Sequence, residues 1–157
     1  PPYVPIDEHY PARGISIYAL TKVLGEEMAR QFCLNNADMR ITCLRLSNVM
    51  GPDEYARFES WQDDPAVRLW NMWTYVDVRD VAQAIEKALE YDVRGKDEFF
   101  ITSDVTCMRI PTKELLDHYY PEVEQRKQFA GNESVLSSEK AMRILGYQPA
   151  YRWTDSI

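Results

Sequence analysis

The feature that most constrains the fold is an alternation of helical and strand patterns along the 157 residues. Apolar residues recur at helical spacing from Ile17 onward and predict a helix over residues 16–35, with Ser16 as its N-cap. The short apolar and β-branched run 40–46 that follows predicts a buried strand. Helices and strands that alternate in this way indicate an α/β fold with parallel strands.

The alternation continues to the end of the chain. The later segments with these patterns are strands at 73–76 and 98–102 and helices at 79–91, 112–119 and 137–146. Asp77 is the expected cap of the second helix, and Ser137 caps the last one, which ends at Gly146. The apolar face of the second helix is predicted to hold Val81, Ala82, Ile85 and Leu89. Residues 53–72 are interpreted as a long loop with one short helix.

Composition excludes several classes of partner. Eighteen basic against twenty-five acidic residues give a net charge of −7, which opposes binding to nucleic acid or to an anionic membrane. No apolar run reaches the roughly 18 residues of a membrane span. The two histidines are isolated and the three cysteines lack metal-site spacing, so no metal site is expected. Scattered cysteines are typical of reduced thiols and of a cytoplasmic protein.

The glycines exclude two kinds of nucleotide-binding loop. No two of the six glycines are closer than eleven positions, so neither a Gly-rich dinucleotide fingerprint nor a P-loop is present. The chain begins at Pro1 without an initiating Met and without the pattern of a signal peptide. We therefore expect it to be a fragment of a longer protein.

Tyr18 and Lys22 are the first candidates for chemistry, because they lie four residues apart on one face of the first helix. A free tyrosine is a poor acid or base at neutral pH, but an ammonium ion one helical turn away stabilises its phenolate. Such a pair could exchange a proton with an alcohol or sugar hydroxyl. Because the chain holds ten tyrosines, a chance surface contact is the alternative. Gly25 and Ala29 continue the same face of the helix as a stripe of small residues, which allows close approach by another helix or a ligand.

Four segments carry further motifs. They are Tyr18-Ala19-Leu20-Thr21-Lys22 with Gly25-Glu26-Glu27, Arg45-Leu46-Ser47-Asn48-Val49-Met50-Gly51-Pro52, Tyr75-Val76-Asp77-Val78-Arg79-Asp80-Val81-Ala82, and Lys140-Ala141 followed by Leu145-Gly146-Tyr147-Gln148-Pro149. In this order they resemble the extended short-chain dehydrogenase/reductase family, the NAD-dependent sugar epimerases, dehydratases and reductases. The resemblance extends from about Pro1 to Trp153.

The resemblance implies a fold and a division of the chain. It implies an α/β fold that is the C-terminal half of a Rossmann-type, doubly wound parallel sheet, with a small substrate-binding region. Residues 1–50 would hold the active-site loop, helix and strand. Residues 51–157 would form the substrate-binding region, interleaved with sheet elements. The family's Gly-rich N-terminal half and its catalytic Ser or Thr are expected to lie outside this sequence.

The resemblance also assigns roles to residues. Tyr18 would be the general acid or base, and Lys22 would support it, while both contact the cofactor, NAD or NADP. Leu46 and Ser47 would lie beside the nicotinamide, and Asn48 would bind the substrate. A turn role is the alternative for Asn48. Structural roles are expected for Arg45, Asp77 and Asp80, the last two as residues of a helix start.

The substrate implied by the family is a sugar or a sugar-derived molecule. Asn71 stands where many nucleotide-sugar enzymes carry an arginine, and the 53–72 loop is short, which favours a smaller sugar, a uronate-like acid or an uncharged carbonyl. Trp61, Trp70 and Trp73 are expected either to stack on a sugar or to belong to the core. A homodimer formed through the Tyr18 helix is also implied. A non-catalytic family member or a fragment that binds a ligand or a protein is the alternative function.

Overall fold

The computed structural model describes residues 1–156, and every strand pair in that range is parallel. The helices are α1 (Ile17–Asn35), α2 (Ala56–Glu59), α3 (Val78–Glu90), α4 (Thr112–Tyr119) and α5 (Glu139–Leu145). The strands are β1 (Tyr3–Val4), β2 (Arg40–Leu46), β3 (Val49–Met50), β4 (Val76–Asp77), β5 (Gly95–Ile101) and β6 (Glu124–Gln125). Parallel neighbours need a crossover, and the one between β2 and β5 passes through α3. The predicted α/β class with parallel strands is confirmed.

Strands β2 and β5 form the longest ladder, paired over all seven residues of each strand. Shorter parallel pairs join β1 to β6 and β3 to β4. Phe99 and Ile101 of β5 are fully buried, as predicted. No residue of β2 is fully buried, so the prediction of a buried strand at 40–46 was wrong in this respect. Within residues 1–156, β2 has a strand partner on one side only, and its side chains are therefore only half covered.

Helix α1 begins and ends where the sequence predicted. The Ser16 hydroxyl accepts a hydrogen bond from the Ala19 N–H at 3.0 Å, which satisfies a donor of the first turn. At the other end the Asn36 N–H donates to the Phe32 carbonyl at 3.1 Å. The helix packs on β5 and β2, and Ala29 is its one buried residue within the described part of the chain.

Residues 53–72 are more regular than the predicted loop. They contain α2, and two 3-10 segments lie at Pro52–Glu54 and Pro65–Asn71. The predicted strand 73–76 is reduced to β4, which starts at Val76. Trp73, the first residue of the predicted strand, has a φ of 60°, and a left-handed backbone cannot belong to a strand.

Helix α3 starts as predicted but turns a different face inward. Asp77 caps it by accepting the Arg79 N–H at 2.8 Å. Of the predicted apolar face only Val81 is buried, since Ala82, Ile85 and Leu89 are exposed and Asp80 and Ala84 are buried instead. A polar contact explains why Asp80 faces inward: its carboxylate accepts hydrogen bonds from the backbone N–H groups of Ala150 at 3.0 Å and Tyr151 at 3.2 Å. This contact holds the C-terminal segment against α3.

Helix α5 has its N-cap one residue later than predicted, at Ser138. Ser137 still contributes, because its hydroxyl accepts the Glu139 N–H at 3.3 Å. The helix ends at Gly146 with a φ of 72°, the left-handed stop that the sequence indicated.

Two groups of buried side chains form the interior. The first, called the aromatic cluster below, consists of Tyr55, Phe58, Trp73, Tyr75 and Trp153. The second fills the space between the β2–β5 ladder, α3 and α5 and includes Phe99, Ile101, Leu145 and Tyr147. None of the helices in residues 1–156 has the length and apolar character needed to cross a membrane.

Candidate active site

The carboxyl ends of β2 and β5 lie at the same edge of the ladder, and residues 46–48 leave the sheet there. The Ser47 N–H donates to the Ile101 carbonyl at 3.1 Å, and the Asn48 carbonyl accepts the Val76 N–H at 3.0 Å. These two bonds fix the backbone of the turn. Ligands of open α/β sheets bind at this edge, so the predicted residues are at the expected end of the fold.

Ser47 and Asn48 keep polar groups free at this edge. The Ser47 hydroxyl is buried and has no hydrogen-bond partner within residues 1–156. The Asn48 amide donates only to the Met50 sulfur, at 2.9 Å, and a thioether is a weak acceptor. The turn alternative for Asn48 requires an amide bonded to the local backbone, which is not the contact it makes. Leu46 is partly exposed beside them.

Tyr18 and Lys22 lie on the outer side of α1, in its first two turns. The Lys22 ammonium nitrogen is 5.0 Å from the centre of the Tyr18 ring, and the Tyr18 side chain is 72% exposed. Neither side chain forms a hydrogen bond or an ion pair in the described part of the chain. The helix therefore presents both polar groups together and free to contact other molecules.

Helix α1 is fixed to the sheet by an ionic network. Arg45 donates from Nε and Nη2 to the two carboxylate oxygens of Glu26 at 2.8 and 2.7 Å. The Lys96 ammonium lies 3.5 Å from the same carboxylate. The hydrogen bond from Arg45 holds the pKa of Glu26 below its usual range, against the effect of burial. Arg45 has the structural role expected of it.

The small-residue stripe on α1 is not free along its whole length. Ala29 is buried under the sheet of its own chain, so the expectation that it lets another helix or a ligand approach was wrong. The helical rotation that places Glu26 on Arg45 also turns Ala29 inward. Gly25 is open, because a Cβ at this position would meet no atom of another part of the chain within 4 Å.

A second polar group lies beneath the edge. Asp77 is fully buried, accepts Arg79 Nε at 2.8 Å and Nη2 at 2.9 Å, and also accepts the Tyr55 hydroxyl. Burial alone would raise the pKa of Asp77, but the bonds from Arg79 and Tyr55 outweigh it and the pKa is lowered. Burial and the bond to Asp77 raise the pKa of Tyr55. The cap role of Asp77 was predicted, whereas its contacts with Tyr55 and Arg79 come only from the tertiary structure.

Arg68 is a polar residue that the sequence did not single out. It lies in the 3-10 segment Pro65–Asn71, is 8% exposed, and stacks 4.2 Å from the Trp61 ring and 4.8 Å from the Trp70 ring. Trp73 belongs to the core and Trp61 is half-buried, while Trp70 is 70% exposed. The aromatic neighbours at 61 and 70 were visible in the sequence, but nothing there showed that Arg68 lies between them.

A cavity of about 600 Å³ lies elsewhere, and none of the predicted site residues lines it. Glu8 is in its wall and accepts the Phe100 N–H at 2.7 Å, which places the cavity at the outer edge of β5. Lys127 and Lys140 line it too, and both form ion pairs with neighbouring carboxylates. Within residues 1–156 no three His, Cys, Asp or Glu side chains form a metal-binding group.

Solved structures share this fold. A short-chain dehydrogenase/reductase superfamily protein from Agrobacterium tumefaciens with bound NAD is 19% identical, with a TM-score of 0.66 over 99% of this chain and 60% of that one. RMD from Pseudomonas aeruginosa, complexed with NADPH, is 18% identical, with a TM-score of 0.62 over 97% and 56%. UDP-N-acetylglucosamine 4-epimerase from Bacillus cereus is 16% identical, with a TM-score of 0.62 over 97% and 53%.

The chain thus spans between 53% and 60% of the length of these three proteins and has a partial Rossmann-like fold, as predicted. No protein in the curated set matches it. The model of one family, described as the NAD dependent epimerase/dehydratase family, matches residues 1–101. That match includes α1 with Tyr18 and Lys22, the turn at residues 46–48, and β5. Since it covers 101 of the 157 residues, this chain belongs to the NAD dependent epimerase/dehydratase family.

Proposed function

We propose that the protein containing this chain is an NAD(P)-dependent oxidoreductase, epimerase or dehydratase that acts on a sugar or a sugar-derived substrate. The observation that carries the proposal is the Tyr18–Lys22 pair, exposed together on α1 with no partner among residues 1–156. Family membership supports it. The chain spans little more than half of the solved structures that it resembles, so the proposal concerns the intact protein.

The residues at the sheet edge fit a nicotinamide cofactor. The buried Ser47 hydroxyl has an unused hydrogen-bonding capacity, and the partly exposed Leu46 offers an apolar contact for a ring. Lys22 has free N–H donors for ribose hydroxyls. When bound, NAD or NADP would supply the hydride acceptor or donor. The 157 residues hold no glycine cluster for the pyrophosphate, so this sequence supplies the catalytic and substrate side of the site.

Proton transfer is the step that this chain performs. The Tyr18 phenolate takes the proton from a substrate hydroxyl when that carbon is oxidised, and returns it in the reverse direction. Lys22 places its positive charge 5.0 Å from the centre of the same ring, beside the group that exchanges the proton. Asn48 orients the substrate through its amide, which has no strong acceptor of its own in the described structure.

The test is Tyr18→Phe in the full-length gene product. The ring and its packing remain but the proton carrier is lost, so turnover should decrease by roughly 10²–10⁴-fold with little change in cofactor affinity. Lys22→Ala should lower both turnover and cofactor affinity, because Lys22 acts on both. Steady-state kinetics and cofactor titration measure the two quantities separately.

The matched control is Tyr91→Phe. Its hydroxyl donates to Asp97 at 3.0 Å, near the start of β5 and away from the carboxyl edge. This variant should keep wild-type turnover. Full activity in Tyr18→Phe would remove Tyr18 as the proton carrier. Absence of turnover in the wild-type full-length protein would instead favour the alternative of a non-catalytic binding module.

A further inference from the structure

The guanidinium of Arg68 is buried and has no oxygen acceptor for its Nε and Nη2 atoms within residues 1–156. Its Nε and Nη2 atoms are out of contact with water and have no hydrogen-bond partner within residues 1–156. A buried charge without a partner is costly, and it lowers the pKa of Arg68 through loss of solvation. The rings of Trp61 and Trp70 offset part of this cost by cation–π contact, but a ring face does not satisfy two N–H donors in the guanidinium plane.

The surroundings of Arg68 supply no anion. The glutamates of the preceding segment are paired with other arginines, Glu54 with Arg57 at 3.0 Å and Glu59 with Arg109 at 2.6 Å. The Cys107 sulfur lies within hydrogen-bonding reach of Arg68, but sulfur is a weak acceptor, and burial raises the pKa of this thiol to about 11, so it is neutral at physiological pH. Arg68 forms no ion pair in the part of the chain that the structure describes.

The backbone around Arg68 is strained and firmly held. The two residues that follow its 3-10 segment, Met72 and Trp73, have φ values of 50° and 60°. Such left-handed conformations in non-glycine residues persist only where the surroundings impose them, and they concentrate at functional sites. Here the Trp73 N–H donates to the Arg68 carbonyl at 3.2 Å, and the Trp73 indole donates to Pro65 at 2.8 Å. These bonds hold the backbone of the segment that carries Arg68.

Backbone hydrogen bonds connect this segment to the loop after β5 and to the turn at Asn48. The Cys107 N–H, in the connection after β5, donates to the Trp73 carbonyl at 2.8 Å. From Trp73 the chain enters β4, whose first residue, Val76, is bonded to the Asn48 carbonyl. The segment with Arg68 thus belongs to the loops at the carboxyl edge, where the substrate is proposed to bind.

We propose that Arg68 binds an oxyanionic group of the substrate, a carboxylate or a phosphate, with two oxygens on Nε and Nη2. These two N–H groups form one edge of the guanidinium, which matches the two oxygens of such a group. The largely exposed Trp70 ring is the cover that gives way when the ligand enters. The inference rests on the proposed function in one respect, that the bound anion belongs to the substrate of the reaction. Binding of the anion by Arg68 does not depend on catalysis.

The test is calorimetry on the full-length protein with three probes: D-glucuronate, glucose 1-phosphate and uncharged glucose. One anionic sugar should bind at least about tenfold more tightly than glucose, and whether it is the carboxylate or the phosphate identifies the group. Arg68→Lys keeps the charge but loses the two-donor edge, so it should abolish this preference. Arg57→Lys is the matched control, because Arg57 is exposed near the same Trp61 ring, and it should bind as wild type.

Equal binding of all three probes by the wild type, or an unchanged preference in Arg68→Lys, would overturn the inference. If Arg68→Lys unfolds, wild-type data decide alone: a preference for an anion that weakens as ionic strength increases supports the site, and no preference excludes it. Binding needs no turnover. Failure of the Tyr18→Phe test with an intact Arg68 effect would therefore refute the catalytic proposal and leave the anion site standing.

Discussion

The aromatic cluster and helix α1 differ in how much of their apolar surface the chain itself covers. All five members of the aromatic cluster are buried. In α1, by contrast, only Ala29 is buried. The helix exposes six large apolar side chains: Ile17, Leu20, Leu24, Met28, Phe32 and Leu34. The aromatic cluster is thus covered by side chains of residues 1–156 themselves. The helix that carries the proposed proton carrier still exposes an apolar face.

The aromatic cluster and α1 also differ in their polar contacts. In the aromatic cluster the Trp153 indole donates to Thr106 at 3.0 Å, and its backbone N–H donates to the Tyr75 hydroxyl at 3.0 Å. Helix α1 is anchored to β2 by the bidentate pair of Arg45 and Glu26. Packing and hydrogen bonds therefore agree in the first region, while α1 depends on a partly solvated ionic contact. The comparison predicts different responses to the same substitution.

Phe58→Ala should have the largest effect on stability. Phe58 is fully buried, with ring centres 4.9 Å from Trp61 and 5.1 Å from Tyr75. Loss of the ring leaves a cavity and should lower the free energy of unfolding by about 3–5 kcal/mol. Urea unfolding of the 157-residue chain measures it. A loss below about 1 kcal/mol would show that the cluster is not the stable part of this chain.

Asp77→Asn should have an intermediate effect with a distinctive pH dependence. The variant weakens bonds to Arg79 and Tyr55, which should cost about 2 kcal/mol at pH 7. Because the folded pKa of Asp77 is lowered, its contribution is present above the ordinary value near 3.9 and is lost as pH falls through the folded pKa. The gap between wild type and variant should therefore shrink in acid.

Asp80→Asn is the control for this pH dependence of stability, because Asp80 lies one turn further along α3. Burial raises the pKa of Asp80, so the folded state favours the protonated acid. Its contribution is present below the ordinary value and is lost as pH rises through the raised pKa. Acid should thus favour wild type over Asp80→Asn, the reverse of Asp77→Asn. Denaturant titrations over a pH series that gave both variants the same slope would refute this assignment.

Phe32→Ala should have the smallest effect. It removes the same ring as Phe58→Ala, but from a side chain that is 52% exposed on α1, so the loss should be about 1 kcal/mol or less in the 157-residue chain. Repeating the measurement on the full-length gene product sharpens the comparison, since a larger loss there would mean that more protein covers this face. A loss equal to that of Phe58→Ala in the 157-residue chain would contradict the contrast between the two regions.

Local patterns in the sequence determined the parts of this protein that depend on neighbouring residues. The cap at Ser16, the full length of α1, the ladder segment 40–46 and the glycine stop at 146 all follow from spacing and side-chain chemistry within a few positions. The motifs at 18–22 and 45–52 likewise indicated the family, because their order along the chain is itself the signal. Tyr18, Lys22, Leu46, Ser47 and Asn48 stay predictions as site residues.

Tertiary structure decided which of these residues are buried and with what. Whether β2 is covered depends on its strand partners, and the inward face of α3 depends on the backbone at 150–151 that Asp80 binds. The left-handed backbone at Met72 and Trp73 and the burial of Arg68 against two tryptophans depend on tertiary packing, which includes the bond from the Cys107 N–H to the Trp73 carbonyl. Neighbouring residues determine where a helix or strand begins and ends. Burial and charge pairing depend on surfaces that only the folded chain brings together.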